Sequence, residues 1–249
     1  MPAPSPAFDI TTTASGWFAL VRGLGARLLL TAVAVGSGLF AFADLTGEVR
    51  EGETSAFDRT VLLAFRRAGD LGVPVGPHWM QETARDVTAL GGFTVLTVVT
   101  VLATALLLMH GRRLQAAIFA GTVVASQLLV DGLKLLLARA RPDLVPHHDL
   151  VYSNSFPSGH AMLTPVVFLT LAAIVSAGEP RRSVRTLLVG AAAALVLAVG
   201  VSRVYLGVHW PTDVAAGWLL GAAIAAAASF ALHRAAPAKV VKPDAPGTP

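Results

Sequence analysis

The residues best suited to act on a substrate are concentrated in three short stretches of this 249-residue chain, at 134–143, 156–160 and 202–213. Together these stretches carry a lysine, several arginines, two histidines and two aspartates among long apolar runs. Phosphate esters carry spread negative charge, so catalysis on them needs rigid positive donors arranged around the phosphorus. The residue types therefore indicate phosphoryl transfer.

Five of these residues have the properties of phosphate ligands. Arg141 and Arg203 can each present two parallel N–H donors to phosphate oxygens, and Lys134 adds a compact charge. Ser158 can cap a helix whose first residue, Gly159, lets the backbone approach an anion closely. No carboxylate cluster suited to Mg²⁺ accompanies them, so we expect the cationic side chains to replace a metal and no cofactor to be needed.

The two histidines suggest separate catalytic roles. His209 precedes Asp213 by four residues, and Pro211 between them is placed to start a helix. Asp213 can then accept from one imidazole nitrogen, which leaves the other free to attack phosphorus. His160 can protonate the leaving group as a general acid.

Each motif taken alone also has an ordinary structural explanation. A lone histidine or arginine at a helix end is commonly an interfacial anchor, and Pro-Ser-Gly is a common turn. Asp131 stands three residues before Lys134, so on a helix it can pair with this lysine, and we interpret it as structural.

The composition indicates a membrane protein. Hydrophobic residues make up 54% of the chain and charged residues 14%, against roughly 25% charged in soluble proteins. The 19 basic and 15 acidic residues leave a formal charge of +4, which gives no reason to expect a nucleic-acid partner. The absence of cysteine excludes disulfides, thiolate metal sites and a cysteine nucleophile.

Six apolar runs predict an all-α fold with six transmembrane helices in a bundle, because a spanning helix needs roughly 20 residues. The runs are Leu24–Ala43, Val87–Met109, Leu114–Leu137, Ala161–Ala177, Leu187–Val204 and Val214–Leu232. A competing interpretation makes the first run a signal peptide cleaved after Ala41-Phe42-Ala43, but we favour a retained helix because the preceding region is long for a signal.

Arginines in the short loops predict the orientation. Basic residues flank run one, separate runs two and three and runs four and five, and follow run six, all on one side of a six-span bundle. We therefore expect a multi-pass protein of the bacterial inner membrane, with both termini cytoplasmic and the three polar stretches at the outer face.

The rest of the chain divides as follows. Residues 1–15 and 235–249 are predicted to be disordered, and 16–234 to form one six-span domain. The connector 45–86 contains an amphipathic piece, Phe57–Arg67, which predicts either a helix in the outer interface or a solvated connector packed on the bundle. We favour the interfacial helix.

The three stretches resemble the signature of the type 2 phosphatidic acid phosphatase (PAP2) superfamily. The matching motifs are Lys134, six residues and Arg141-Pro142; Pro157-Ser158-Gly159-His160; and Ser202-Arg203, five residues, His209, three residues and Asp213. The run of membrane spans is similar to the lipid phosphatase branch and unlike the soluble haloperoxidase and acid phosphatase branches.

This resemblance implies a metal-independent phosphatase that acts through a phosphohistidine. By matching position, His209 is the nucleophile, Asp213 its partner and His160 the acid. The phosphate-binding positions would be Lys134, Arg141, Ser158, Gly159 and Arg203, while Pro142, Pro157 and Ser202 belong to the signature without an assigned role.

The leading hypothesis is thus a lipid phosphate phosphatase in the bilayer, with phosphatidate, phosphatidylglycerol phosphate or undecaprenyl diphosphate as its substrate. Two alternatives remain. A lipid phosphotransferase would pass the same phosphohistidine to an alcohol, and a non-catalytic lipid-binding or transport protein would have little use for two histidines and an aspartate together.

Overall fold

The computed structural model describes the backbone of residues 10–235 and the side chains from Gly25 to Ala235. The elements, in chain order, are α1 (Ile10–Glu51), α2 (Ser55–Ala64), β1 (Arg66–Arg67), β2 (Asp70–Pro74), α3 (His78–Ala89), α4 (Phe93–Met109), α5 (Arg113–Leu137), α6 (Gly159–Ser176), α7 (Arg182–Tyr205) and α8 (Pro211–Arg234).

Five helices in the described part of the chain are long and apolar enough to cross a membrane: α1 from Gly25 onward, α5, α6, α7 and α8. A sixth span arises if α3 and α4 count as one, since they meet at a 42° bend. The chain is therefore a helical, multi-pass integral membrane protein.

The second apolar run does not form the continuous helix that was predicted over Val87–Met109. The helix breaks at Leu90–Gly92, between α3 and α4. Two consecutive glycines at this point lower the helix propensity, and Gly92 has the extended conformation of a helix N-cap.

Helices α6 and α8 form the centre of the bundle and are the most buried spans. They approach closely because α8 presents Gly217 and Gly221, four residues apart, to α6. A Cβ atom at Gly221 would lie 2.3 Å from the Met162 carbonyl oxygen, and one at Gly217 would lie 2.8 Å from the Ser158 carbonyl oxygen. This is the small-residue packing typical of membrane helices.

The connector 45–86 is more structured than an all-α fold implies. After α2, the strands β1 and β2 form a two-stranded antiparallel hairpin, which is absent from the prediction. Within the amphipathic piece, Leu62 and the carboxylate of Asp58 are buried against the bundle, whereas Phe57 is exposed. Asp58 therefore does not belong to a solvent-facing polar side, and α2 packs on the bundle at the start of α8.

The ends of the chain lie partly outside the described residues. Helix α1 begins at Ile10, so residues 10–15 of the segment expected to be disordered are helical. Residues 1–9 and 236–249 lie outside the described part. The helix continues through the possible cleavage site, and Phe42 stacks on Phe156 in the bundle with ring centroids 6.1 Å apart.

Candidate active site

The three motifs meet at one end of the bundle, where α5 ends, α6 begins and α7 turns into α8. Backbone hydrogen bonds join them: Ser158 N donates to Asp213 O at 3.0 Å, and Ser155 N donates to Arg139 O at 2.9 Å. Segments that are far apart in sequence therefore build a single site, as their residue types predicted.

His209 and Asp213 form the buried pair at its centre. Nδ1 of His209 lies 3.3 Å from Oδ2 of Asp213, and the two side chains are 2% and 0% exposed. Pro211 begins α8, so Asp213 falls in its first turn and also accepts from the Trp210 backbone N–H at 2.9 Å. This geometry fixes the proton on Nδ1 and leaves Nε2 with a free electron pair.

The surroundings of His209 favour the neutral ring. Burial, followed by the positive charges of Arg203 and Arg141, holds the pKa of His209 well below the ordinary imidazole value of 6.5. An unprotonated Nε2 at neutral pH has the form that a nucleophile requires.

Arg141 contacts this nitrogen directly. Its Nη1 lies 3.2 Å from Nε2 of His209 and donates to Val208 O at 2.6 Å, while its Nε donates to Ser153 O at 2.7 Å. Burial and the charge of Arg203 lower the pKa of Arg141 to about 10, so the guanidinium keeps its charge at neutral pH. A phosphate bound to Arg141 would lie beside the imidazole.

Lys134 contacts the same loop residue, Ser153, as Arg141 does. Its Nζ donates to Asn154 O at 2.7 Å and to Ser153 Oγ at 3.1 Å. No ion pair joins Asp131 to Lys134 in the described part of the chain, and Asp131 instead accepts from Gln127 Nε2 at 2.9 Å. The last turn of α5 instead directs Lys134 into the site, where it is 8% exposed.

Arg203, on the last turn of α7, is buried and paired. Its Nη1 donates to Asp149 Oδ2 at 2.5 Å and to Thr88 Oγ1 at 3.0 Å. Its Nε is buried and makes no hydrogen bond within the described residues. Arg203 thus keeps an unused donor beside the two histidines, while Asp149 offsets part of its charge.

The start of α6 has the N-cap that the sequence predicted. Ser158 is the N-cap and its hydroxyl accepts from Ala161 N at 3.5 Å. At Gly159 a Cβ would lie 3.9 Å from Cε of Lys134, so the first turn of α6 faces this lysine. The amides of this turn are available to an anion held by Lys134.

His160 lies beside the break between α3 and α4. A Cβ at Gly91 would lie 3.4 Å from Cδ2 of its ring, and one at Gly92 would lie 3.8 Å from its Nε2. Neither ring nitrogen makes a hydrogen bond in the described part of the chain, and the imidazole is within electrostatic range of Arg203 and His209. The structure therefore places it with the other site residues, with both nitrogens available.

The three signature residues without an assigned role have structural contacts. Ser202 donates to the Val199 carbonyl of its own helix at 2.6 Å. Pro142 O accepts from Nε2 of His147 at 2.8 Å. Pro157 follows a cis peptide bond and is buried.

Sequence reasoning missed four polar residues of this site. Ser155 donates to Asp213 Oδ2 through a short hydrogen bond and lies 3.4 Å from Nδ1 of His209. Arg139 and Asp58 form an ion pair next to Asp213, and Asp149 pairs with Arg203. The only local signal was the position of Arg139 between Lys134 and Arg141, since the other contacts join distant segments.

Comparisons with known proteins agree with this geometry. Residues 115–236 match the family model of the PAP2 superfamily. The chain is 33% identical over 146 residues to phosphatidylglycerophosphatase B of Bacillus subtilis, covering 57% of this chain and 70% of that protein. The chain belongs to the PAP2 superfamily.

Two further matches extend the relationship. This PAP2 protein is 32% identical to the decaprenylphosphoryl-5-phosphoribose phosphatase of Mycobacterium tuberculosis, covering 59% of this chain and 77% of the relative. The crystal structure of a transmembrane PAP2-type phosphatidylglycerolphosphate phosphatase from Bacillus subtilis superposes with a TM-score of 0.68 and 27% identity, over 76% of this chain and 91% of that one. The protein is thus a phosphatase of the membrane-embedded lipid phosphatase group.

Proposed function

We propose that this PAP2 protein hydrolyses a membrane lipid that ends in a phosphate monoester, and that it removes the terminal phosphate group through a phosphohistidine on His209. The observation that carries the proposal is the orientation of the imidazole. Asp213 holds Nδ1, while Nε2 faces the guanidinium of Arg141 at 3.2 Å, where a phosphate oxygen would bind.

The reaction runs in two displacements. Nε2 of His209 attacks phosphorus, the bond to the leaving-group oxygen breaks, and His160 delivers a proton to that oxygen. Water then attacks the phosphohistidine, with the unprotonated His160 accepting its proton, and inorganic phosphate leaves. Lys134, Arg141, Arg203 and the amides of the α6 terminus stabilise the charge on the equatorial oxygens.

Lys134 and Arg141 donate to neutral carbonyls of Ser153, Asn154 and Val208. A phosphate dianion is a stronger acceptor than a carbonyl oxygen, so it can take over these donors when it binds. The cationic side chains supply the charge that a metal would otherwise provide.

The two relatives of widest coverage support a monoester substrate, since both names describe lipid-linked compounds that end in a phosphate monoester. We infer the same class here. The cytoplasmic placement of both termini, the outer-facing site and the inner membrane follow from the loop arginines and belong to the same proposal.

The test is phosphate release by purified protein from phosphatidylglycerol phosphate, phosphatidate, undecaprenyl diphosphate and a soluble ester, each with and without EDTA. We expect the lipid monoesters to be hydrolysed fastest and EDTA to leave the rate unchanged. His209→Gln should abolish the activity. A His209→Gln variant as active as wild type, or a clear preference for the diphosphate, would contradict the proposal.

A further inference from the structure

Arg139 lies between two signature residues but belongs to none of the motifs. The chain leaves α5 at Ala138, whose left-handed conformation (φ 44°) turns the following residues across the site. The Arg139 side chain is 17% exposed, and its guanidinium carbon lies about 6 Å from the ring centroids of Phe156 and Trp210. It is therefore enclosed on two sides by aromatic rings.

The Arg139 guanidinium bridges two buried aspartates. Its Nη1 donates to Asp213 Oδ1 at 2.5 Å and to Thr212 Oγ1 at 2.8 Å, and its Nη2 donates to Asp58 Oδ2 at 2.6 Å. The two carboxylates are 0% and 1% exposed. Burying a carboxylate without a partner is costly, so one guanidinium here compensates two charges.

Asp58 ties the outer connector to the same point. It is on α2, and its carboxylate accepts from the Thr212 backbone N–H at 3.0 Å and from Thr212 Oγ1 at 2.7 Å. Thr212 is the second residue of α8, so this carboxylate caps the helix that carries Asp213. Asp58 of the connector is thereby linked to the start of α8 in two ways, through Arg139 to Asp213 and directly to Thr212.

The two oxygens of Asp213 have separate partners. Oδ2 accepts hydrogen bonds from His209 Nδ1, Ser155 Oγ and the Trp210 backbone N–H. Oδ1 accepts one from Arg139. The carboxylate orientation therefore depends on Arg139 on one side, and the imidazole orientation depends on the carboxylate on the other.

We propose that Arg139, itself anchored by Asp58 of the outer connector, is a positioning residue that orients Asp213 and through it His209. The inference rests on the proposed function of His209. Arg139 is not a phosphate ligand: a phosphate that took over its donors would leave the buried carboxylates of Asp58 and Asp213 without their guanidinium partner, whereas the donors of Arg141 go to carbonyls.

The test compares Arg139→Gln, Arg139→Lys, Asp58→Asn and the double variant Asp58→Asn/Arg139→Gln, with phosphatidylglycerol phosphate as the substrate. We expect Arg139→Gln to lower kcat by about 100-fold with KM unchanged, as loss of an orienting partner typically does. Asp58→Asn, whose amide oxygen can still cap Thr212, should lower kcat by about 10-fold. Arg139→Lys should recover part of the loss.

Because Asp58 acts through Arg139, the double variant should be no slower than Arg139→Gln alone. The control is Arg59→Gln, an exposed residue next to Asp58 on α2, which should match wild type. Melting temperatures separate this effect from simple destabilisation, which lowers the amount of folded protein rather than the kcat of the folded fraction.

Three outcomes would overturn the inference: a raised KM with kcat preserved in Arg139→Gln, losses that multiply in the double variant, or an Asp58→Asn variant as fast as wild type. If Arg139→Gln does not fold, the kcat and KM values of Arg139→Lys and Asp58→Asn still test the inference. His209→Gln is measured in parallel: if it is active, the proposed function and this inference both fail, whereas an inactive His209→Gln with a fully active Arg139→Gln refutes only the inference.

Discussion

At the scale of single residues, the site depends on where each proton and charge is held. His209 is neutral because burial and three nearby cations oppose its protonation, and Asp213 directs its remaining proton to Nδ1. The types and spacing of these residues predicted the pair from the sequence, because Pro211 between them starts α8, which leaves His209 in the preceding turn and puts Asp213 in the first turn of the helix.

The charge-compensating residues could not be predicted in the same way. Asp58 stands 81 positions before Arg139 in the chain, and its helix has an amphipathic pattern that assigned it to the polar side. Only the tertiary fold brings it to the start of α8. The same holds for Asp149, which is 54 positions from Arg203.

The lowered pKa of His209 predicts a specific pH dependence of stability. Below pH 6.5 the unfolded chain binds a proton that the folded state excludes, so stability is lost as the pH falls, by up to about 1.4 kcal/mol per pH unit. Between pH 7.5 and 5.5 the melting temperature of the wild type in detergent should drop more than that of His209→Gln. His78→Gln, at an exposed position, is the control, and equal drops in all three would contradict the prediction.

At the scale of secondary structure, hydrophobic runs predicted four of the spans to within a few residues, because α5, α6, α7 and α8 are apolar over most of their length. The break in the second run was missed, since Leu90, Gly91 and Gly92 are apolar or neutral and do not interrupt the hydropathy. Gly91 at this break allows close packing on α6 and α7, since a Cβ there would lie 2.5 Å from Val199 Cγ1 and 2.8 Å from Thr164 Oγ1.

The close packing of α6 on α8 yields a second prediction. Gly221→Ala would place a methyl group 2.3 Å from the Met162 carbonyl oxygen, so α8 must move away from α6. Since α6 carries Ser158 and His160 and α8 carries Asp213, we expect the melting temperature and kcat to fall together. Gly190→Ala on α7, where no atom lies within 4 Å of the new methyl, should change neither. A normal kcat in Gly221→Ala would show that the site tolerates this displacement.

At the scale of the whole molecule, the bundle brings the three polar motifs to one end and leaves arginines at the other. Arg112, Arg182 and Arg185 line a basic surface at the ends of α5 and α7 remote from the site. The orientation that the loop charges predict stays a prediction, which labelling of single cysteines can test.

The chain contains no cysteine, so single cysteines can report the orientation in intact bacterial cells. Tyr152→Cys lies in the loop that carries the site residues, where Tyr152 is 92% exposed, and Gly178→Cys lies in the opposite loop. A membrane-impermeant maleimide should label the first in intact cells and the second only after lysis. The reverse pattern would place the site on the cytoplasmic side.

A covalent intermediate on His209 can be detected by rapid-quench trapping with a substrate labelled in its terminal phosphate. We expect a phosphoprotein that is stable to alkali and lost in acid, that forms at least as fast as the enzyme turns over, and that maps to His209. Turnover at the full rate without this adduct, or an adduct on another residue such as His160, would contradict the proposal.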